Sequence, residues 1–183
     1  MNDAHSPRPD PQRSLAGRRR VLRAAAAWPA LTVLPQVARA AATTPRALGQ
    51  VVDWPTLELL DGRRLVAADW RDTAAVVVFW ETTCPFCRRH NAHVDKLHRA
   101  SEGKRLRVLT VARDRDPALV RQYLSSQGYG FPVTLQEGAL RAQFSARRVV
   151  PLTCSVGRDG RLREVIPGEM FEEDVLALTT LAD

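Results

Sequence analysis

The chain has 183 residues, 45% hydrophobic and 26% charged, enough apolar content to bury a core, which excludes global disorder, a collagen repeat or a coiled coil. Its net charge of +7 would suit a nucleic-acid binder, but the charge is unevenly placed. Residues 1–40 hold 7 Arg and 2 Asp, whereas residues 41–183 hold 20 basic and 18 acidic groups, a net of only +2, so little is left for a nucleic-acid role once the first segment is set aside.

That first segment reads as an address. Arg18, Arg19 and Arg20 are followed by Val21, Leu22 and Arg23, then by an Ala-rich apolar stretch from Ala24 to Val37 and by Ala38-Arg39-Ala40, an Ala-x-Ala cleavage pattern. Charged region, apolar region and small-residue site together define an export signal. The order resembles a twin-arginine signal, with Val21 and Gly17 as departures from its usual pattern. The apolar stretch is about 14 residues, short of the roughly 20 a spanning helix needs. No Cys lies near the cleavage site, which argues against a lipoprotein anchor. The sequence therefore predicts a signal over residues 1–40, a linker over 41–50, and a single domain over 51–183 working in the periplasm.

Along the exported part, Leu57 and Leu59, then Asp61-Gly62, then Leu65 and Ala67 predict a hairpin with a tight primed turn. Ala74–Trp80 is an unbroken apolar run, as expected of a strand covered on both faces. Pro85 to Ala100 reads as a helix with Val94 and Leu97 inward, and Leu106–Ala112 as a second buried strand. Asp116-Pro117 is a helix start that Gly128 ends, with Leu119, Val120, Tyr123 and Leu124 on its apolar face. Phe131–Leu135 is a short strand. Leu152–Val156 and Leu162–Ile166 flank Gly157-Arg158-Asp159-Gly160, a second hairpin. The last helix carries Glu172, Glu173 and Asp174 in its first turn, where anions suit the dipole, and buries Phe171, Val175 and Leu178. This alternation predicts an α/β fold, one mixed sheet with helices on both faces and an N-terminal hairpin added.

All three cysteines, Cys84, Cys87 and Cys154, lie in the exported part. A disulfide framework needs more of them, and a domain of this size needs no staple. Cys84-Pro85-Phe86-Cys87 follows the first buried strand directly and opens a helix. Unpaired N–H groups and the dipole at a helix start stabilise an anion, and a thiolate is one. Cys84 is therefore expected to attack, and Cys87, one turn further in, to resolve, in dithiol–disulfide exchange through a mixed disulfide. A zinc knuckle would need a second ligand pair, which Cys154 alone does not supply. A copper or zinc stripe of Cys84, Cys87, His90 and His93 is the rival from another class, a metallochaperone. Cys154 reads as a small apolar strand residue.

With Val78-Phe79-Trp80, Cys84, Cys87, Val150-Pro151 and the Asp159-Gly160 hairpin in place, residues 51–183 resemble the TlpA/ResA-like branch of periplasmic thioredoxin-fold oxidoreductases. The resemblance implies a thioredoxin-like sheet and a cis Pro151 beside the cysteine pair. It also implies that the backbone of Val150 pairs with bound peptide as an added strand. It implies no cofactor, no metal, protein disulfides as substrates and, for a reductase, a membrane electron donor of the DsbD/CcdA type; a monomer is expected. Clients would be exported proteins such as apocytochrome c or copper-site proteins. Phe86 is expected to be an exposed substrate contact.

Departures from the family bear on the direction of electron flow. Thr83 stands where relatives carry Trp. Pro85 follows the first Cys rather than preceding the second, as in glutaredoxin-like and DsbA-like dipeptides, which keeps a disulfide oxidase or isomerase as the alternative. Thioredoxin and DsbA differ by about 150 mV, roughly 7 kcal/mol for two electrons. Val78 replaces thioredoxin's buried Asp. His90 replaces the Glu of ResA-like reductases; it is a candidate proton relay, against the plainer reading of a solvent-facing helix residue. Glu81 is a second candidate for tuning the thiols, against a solvated loop carboxylate. It also occupies the place where a peroxidatic cysteine would need Thr, which weakens a peroxiredoxin reading.

Overall fold

The computed structural model describes residues 45–145 and 147–183; the segment expected to be an export signal and the first part of the expected linker lie outside the described residues. The elements are β1 (Leu57–Glu58), β2 (Arg64–Leu65), β3 (Ala74–Trp80), α1 (Pro85–Ala100), β4 (Leu106–Ala112), α2 (Pro117–Gln127), β5 (Val133–Thr134), α3 (Glu137–Phe144), β6 (Leu152–Val156), β7 (Leu162–Pro167) and α4 (Glu172–Ala177), with 3-10 turns at Ala67–Trp70 and Leu178–Ala182. Five strands form one sheet in the order β5-β4-β3-β6-β7. β3, β4 and β5 are parallel, and β6 and β7 run antiparallel to β3 and to each other. This is the mixed sheet that the element order predicts.

β3 is buried at every position because both faces of the sheet are covered. Ala75, Val77 and Phe79 point to a core shared with α3, with the β1–β2 hairpin and with Trp70. Ala74, Val76, Val78 and Trp80 point to a second core shared with α1, α2 and α4. On the first side Trp54 stacks on Trp70 with ring centroids 3.8 Å apart, and the hairpin is tied to the sheet edge by Leu60 N–H donating to Val133 O at 2.7 Å.

Cys154 pairs with Val77 in the β3–β6 ladder, so it faces the first core, while the neighbouring Thr153, opposite Val78, faces α1. Cys154 is fully buried, and burial pushes its thiol up to about 12. It is a small apolar core residue on the side of the sheet away from α1.

The structure differs from the sequence reading at several points. The Asp61-Gly62 hairpin closes on a bulged loop rather than the expected primed turn, and the hairpin at 157–160 closes in the same way. Leu59 N donates to Arg63 O and Gly62 N to Leu59 O, and the same pair of bonds recurs around Gly157 and Gly160. Only the glycines, Gly62 at φ 88° and Gly160 at φ 75°, take positive φ, whereas a type I′ turn needs it at both central residues. The aspartates instead accept from the backbone N–H two residues on, Arg63 at 3.0 Å and Arg161 at 3.1 Å.

Phe171 is 79% exposed rather than buried, because it is the N-cap of α4 with extended backbone and so stands outside the helical stripe. Leu119 is also exposed, since α2 buries a narrow stripe centred on Val120. The strand at 131–135 pairs only at Val133–Thr134. The linker joins the domain before residue 51: Arg46 N donates to Gln143 O and Gly49 N to Leu162 O, both in backbone hydrogen bonds. Among the described residues no helix is long and apolar enough to cross a membrane.

The burial of Cys154 makes a direct prediction. A thiol reagent should modify Cys154 only in denaturant, as read by mass spectrometry of peptides from native and unfolded protein. Rapid labelling in the native state would contradict its place under the sheet.

Candidate active site

The carboxyl end of β3 and the amino end of α1 meet at residues 81–84. Trp80 O accepts from Arg113 N at 2.9 Å, so the strand stays paired to its last residue. The chain then turns, with Cys84 N donating to Glu81 O at 3.3 Å. Thr82 holds that turn to the end of β4. Its N–H and its hydroxyl donate to the Asp114 carboxylate, at 3.1 Å and 2.5 Å.

Cys84 is the N-cap of α1, with extended backbone, and Pro85 occupies the first turn, where its missing N–H costs nothing. The Cys87 N–H donates to the Cys84 sulfur at 3.1 Å. This is the capping bond that a Ser or Asp oxygen would otherwise accept. From the other side the Cys84 thiol faces Val150 O at 3.9 Å. Val150-Pro151 is a cis peptide leading into β6, and Gly168 N–H donates to Pro151 O at 2.8 Å.

The two cysteines differ in surroundings. Cys84 is half-buried, whereas Cys87 is fully buried under the helix. Burial pushes the Cys87 thiol well up, the adjacent Cys84 sulfur adds to that, and the Glu81 backbone partly offsets it. Phe86 is 56% exposed beside them, with the Arg89 guanidinium 5.1 Å from its ring centroid. Cys84, Cys87, Phe86, Val150 and Pro151 are thus brought to one end of the sheet.

His90 is not a solvent-facing residue. It is fully buried between α1 and the sheet. Met170 N–H donates to its Nδ1 at 3.3 Å, and Nε2 lies 2.9 Å from Thr153 Oγ1. An Nδ1 that accepts places the proton of a neutral ring on Nε2, which then donates to Thr153. Both nitrogens are therefore occupied in tying α1 to β6 and to the turn after β7, and neither is free to relay a proton to Cys87. Burial lowers the His90 pKa to about 4, helped by His93 and opposed by Glu169. Glu81 is likewise not a free loop carboxylate: it lies 3.7 Å from Arg113.

The proposed metal stripe is not assembled. His93 Nδ1 sits 3.2 Å from Glu172, His90 is committed to Thr153 and Met170, and among the described residues no group of three or more His, Cys, Asp or Glu is placed to hold a metal ion.

Asp114, Thr153, Asn91 and Asp95 position the site without having been singled out in the sequence. The Asn91 amide donates to Tyr123 Oη at 3.4 Å, and Asp95 accepts from Gly130 N at 2.8 Å. Both fix α1 against α2 and the segment after it. A polar residue at an inward helical position was the available signal for Asn91 and Asp95. Nothing in the spacing connects Thr82 with Asp114 or His90 with Thr153.

Residues 49–165 match the AhpC/TSA family. The chain is 24% identical over 127 residues to the thiol-disulfide oxidoreductase ResA of Halalkalibacterium halodurans, spanning 69% of this chain and 72% of that one. It is 25% identical over 118 residues to ResA of Bacillus subtilis, spanning 63% and 65%. Among solved structures it is similar to a thiol:disulfide interchange protein of the thioredoxin family from Chlorobium tepidum, with a TM-score of 0.66 at 20% identity over 75% of this chain and 98% of that one. It is also similar to a secreted Mycobacterium tuberculosis disulfide oxidoreductase homologous to E. coli DsbE, with a TM-score of 0.60 at 18% identity over 69% and 94%. The structural likenesses identify the fold as thioredoxin-like.

The neutral state of His90 has a consequence for stability. Its folded pKa lies below its ordinary value of 6.5, so between those limits the unfolded chain binds more protons and stability rises with pH. The contribution is complete above about 6.5 and is lost as pH falls towards about 4, on the order of 3 kcal/mol. Urea denaturation from pH 7 to pH 4 should show this slope, and His90→Gln should remove most of it, leaving a smaller part to His98, whose pKa burial also lowers. An unchanged slope in the variant would contradict the placement of His90.

Proposed function

The chain belongs to the AhpC/TSA family of thioredoxin-fold proteins and is a thiol–disulfide oxidoreductase, and from that premise we propose that it is exported and reduces disulfides of other exported proteins through Cys84 and Cys87. The observation that carries the reading is the asymmetry of the pair, an accessible sulfur capping a helix beside a buried thiol that holds its proton.

In the reductive direction the Cys84 thiolate attacks one sulfur of a client disulfide. A Cys84–client disulfide forms, and the client's second sulfur leaves as a thiolate. Cys87 then gives up its proton and attacks the Cys84 sulfur. The Cys84–Cys87 disulfide forms, the first client sulfur leaves, and two electrons have passed to the client. The protons needed by the two departing thiolates come from Cys87 and from solvent. Burial keeps Cys87 protonated until the mixed disulfide places a target beside it, which suits a resolving role. The exposed Phe86 and the Val150 backbone are the surfaces on which the client segment would lie, Val150 pairing with it as an added strand.

Export is supported by the arginine, apolar and Ala-x-Ala sequence of residues 1–40, with the twin-arginine route favoured by its Arg18-Arg19 pair. Periplasmic location, a membrane donor of the DsbD/CcdA type and clients from cytochrome c or copper-site maturation are parts of the same proposal. A disulfide oxidase or isomerase is the second reading, favoured by Pro85.

The protein should catalyse the reduction of insulin by dithiothreitol, and Cys84→Ala should return the rate to the uncatalysed background. Titrated against a dithiothreitol or glutathione buffer, the pair should have a potential near or below about −250 mV, in the thioredoxin range. A value above about −150 mV, towards the DsbA range, would contradict the reductive direction.

A further inference from the structure

The acidic groups around Cys84 are already committed, and several of the arginines are not. Glu81 and Glu137 face Arg113, at 3.7 Å and 3.1 Å. Glu169 is held by Arg89 in two hydrogen bonds of 2.7 Å and 2.6 Å, and Asp114 is held by Thr82. Arg88, Arg147 and Arg148 are exposed and have no ion-pair partner among the described residues.

All three lie close to the reacting sulfur along the chain or through it. Arg88 is in the first turn of α1, its N–H donating to Cys84 O at 3.1 Å. Arg147 and Arg148 directly precede Val149 and Val150, and Val150 O is the group that faces Cys84. Arg148 is anchored by its own carbonyl, which accepts from Arg113 at 3.1 Å. Other exposed arginines, among them Arg64, Arg71 and Arg121, also lack an ion-pair partner among the described residues, so what distinguishes these three is their place beside Cys84 and Val150.

We propose that Arg88, Arg147 and Arg148 form a cationic rim that selects client disulfides flanked by acidic residues. The proposal rests on the exchange function above and names its substrate class. A segment lying along Val149 and Val150 to present its disulfide to Cys84 would extend towards Arg147 and Arg148, with Arg88 one turn into α1 from Cys84. Carboxylates beside the client cysteine find unpaired guanidinium groups there, and lysines meet like charge. The selection acts mainly on association, since exposed charges of this kind steer encounter and are screened by salt.

The test uses the pre-reduced protein and three synthetic peptides, each with one intramolecular disulfide of the same ring and with Asp/Glu, Ser/Gln or Lys flanks. Bis(2-hydroxyethyl) disulfide, small and uncharged, is the control. At about 0.01 M ionic strength the acidic peptide should be reduced about tenfold or more faster than the basic one, and the gap should shrink at about 0.15 M. The triple variant Arg88→Gln, Arg147→Gln, Arg148→Gln should lose the preference and keep its rate on the control disulfide. Equal rates for the three peptides, or a preference that survives in the triple variant, would overturn the rim. Failure to exchange even the control disulfide would overturn the exchange function itself.

Discussion

The Cys87 N–H that caps onto the Cys84 sulfur joins two demands that would otherwise be met separately. A helix start leaves N–H groups without partners, and these are ordinarily satisfied by an oxygen. Here the acceptor is sulfur, so the atom that completes the start of α1 is the same one that the proposed exchange uses as its nucleophile. Everything that aims β3 and α1 at each other serves that bond. The sheet buries β3 on both sides, the Thr82–Asp114 contact fixes the turn after it, and Pro85 starts the helix without wasting a donor.

The second half of the site comes from the opposite direction in the sheet. β6 runs antiparallel to β3, so its first residue lies at the end where β3 finishes, and Val150 O arrives beside Cys84. The same register turns Thr153 towards α1 and Cys154 away from it. His90 closes the arrangement by linking the helix that carries both cysteines to β6 and to the turn after β7. An imidazole suits this place because it offers one donor and one acceptor while neutral, whereas an ionised carboxylate would offer acceptors only and carry charge into the core.

Much of this was legible in the sequence. Ala74–Trp80, Leu106–Ala112 and Pro85–Ala100 have the bounds that the apolar runs and the helix start indicate, because both-face burial and capping are local signals. The cysteine pair was legible for the same reason, since it sits where a buried run meets a helix start. What the sequence did not disclose depends on distant partners or on one residue's place at a boundary. Phe171 fits the periodicity of a buried stripe but falls at the cap of α4, before that periodicity begins. The Asp-Gly pairs mark turns correctly, yet the turn type depends on which residues take positive φ. Neither sequence reading of His90, proton relay or solvent-facing residue, captures its place, because its partners Thr153 and Met170 are far along the chain and only the fold brings them to it.

The most direct test of the central claim, that Cys84 attacks and Cys87 resolves, is to trap the mixed disulfide. Cys87→Ala protein is mixed with a disulfide-containing peptide and the adduct is mapped by mass spectrometry, with Cys84→Ala protein treated in parallel. The account predicts a stable adduct on Cys84 in the first variant and none on Cys87 in the second. An adduct on Cys87 when Cys84 is absent, formed as readily as the first, would mean that the capped sulfur is not the nucleophile, and would contradict the account.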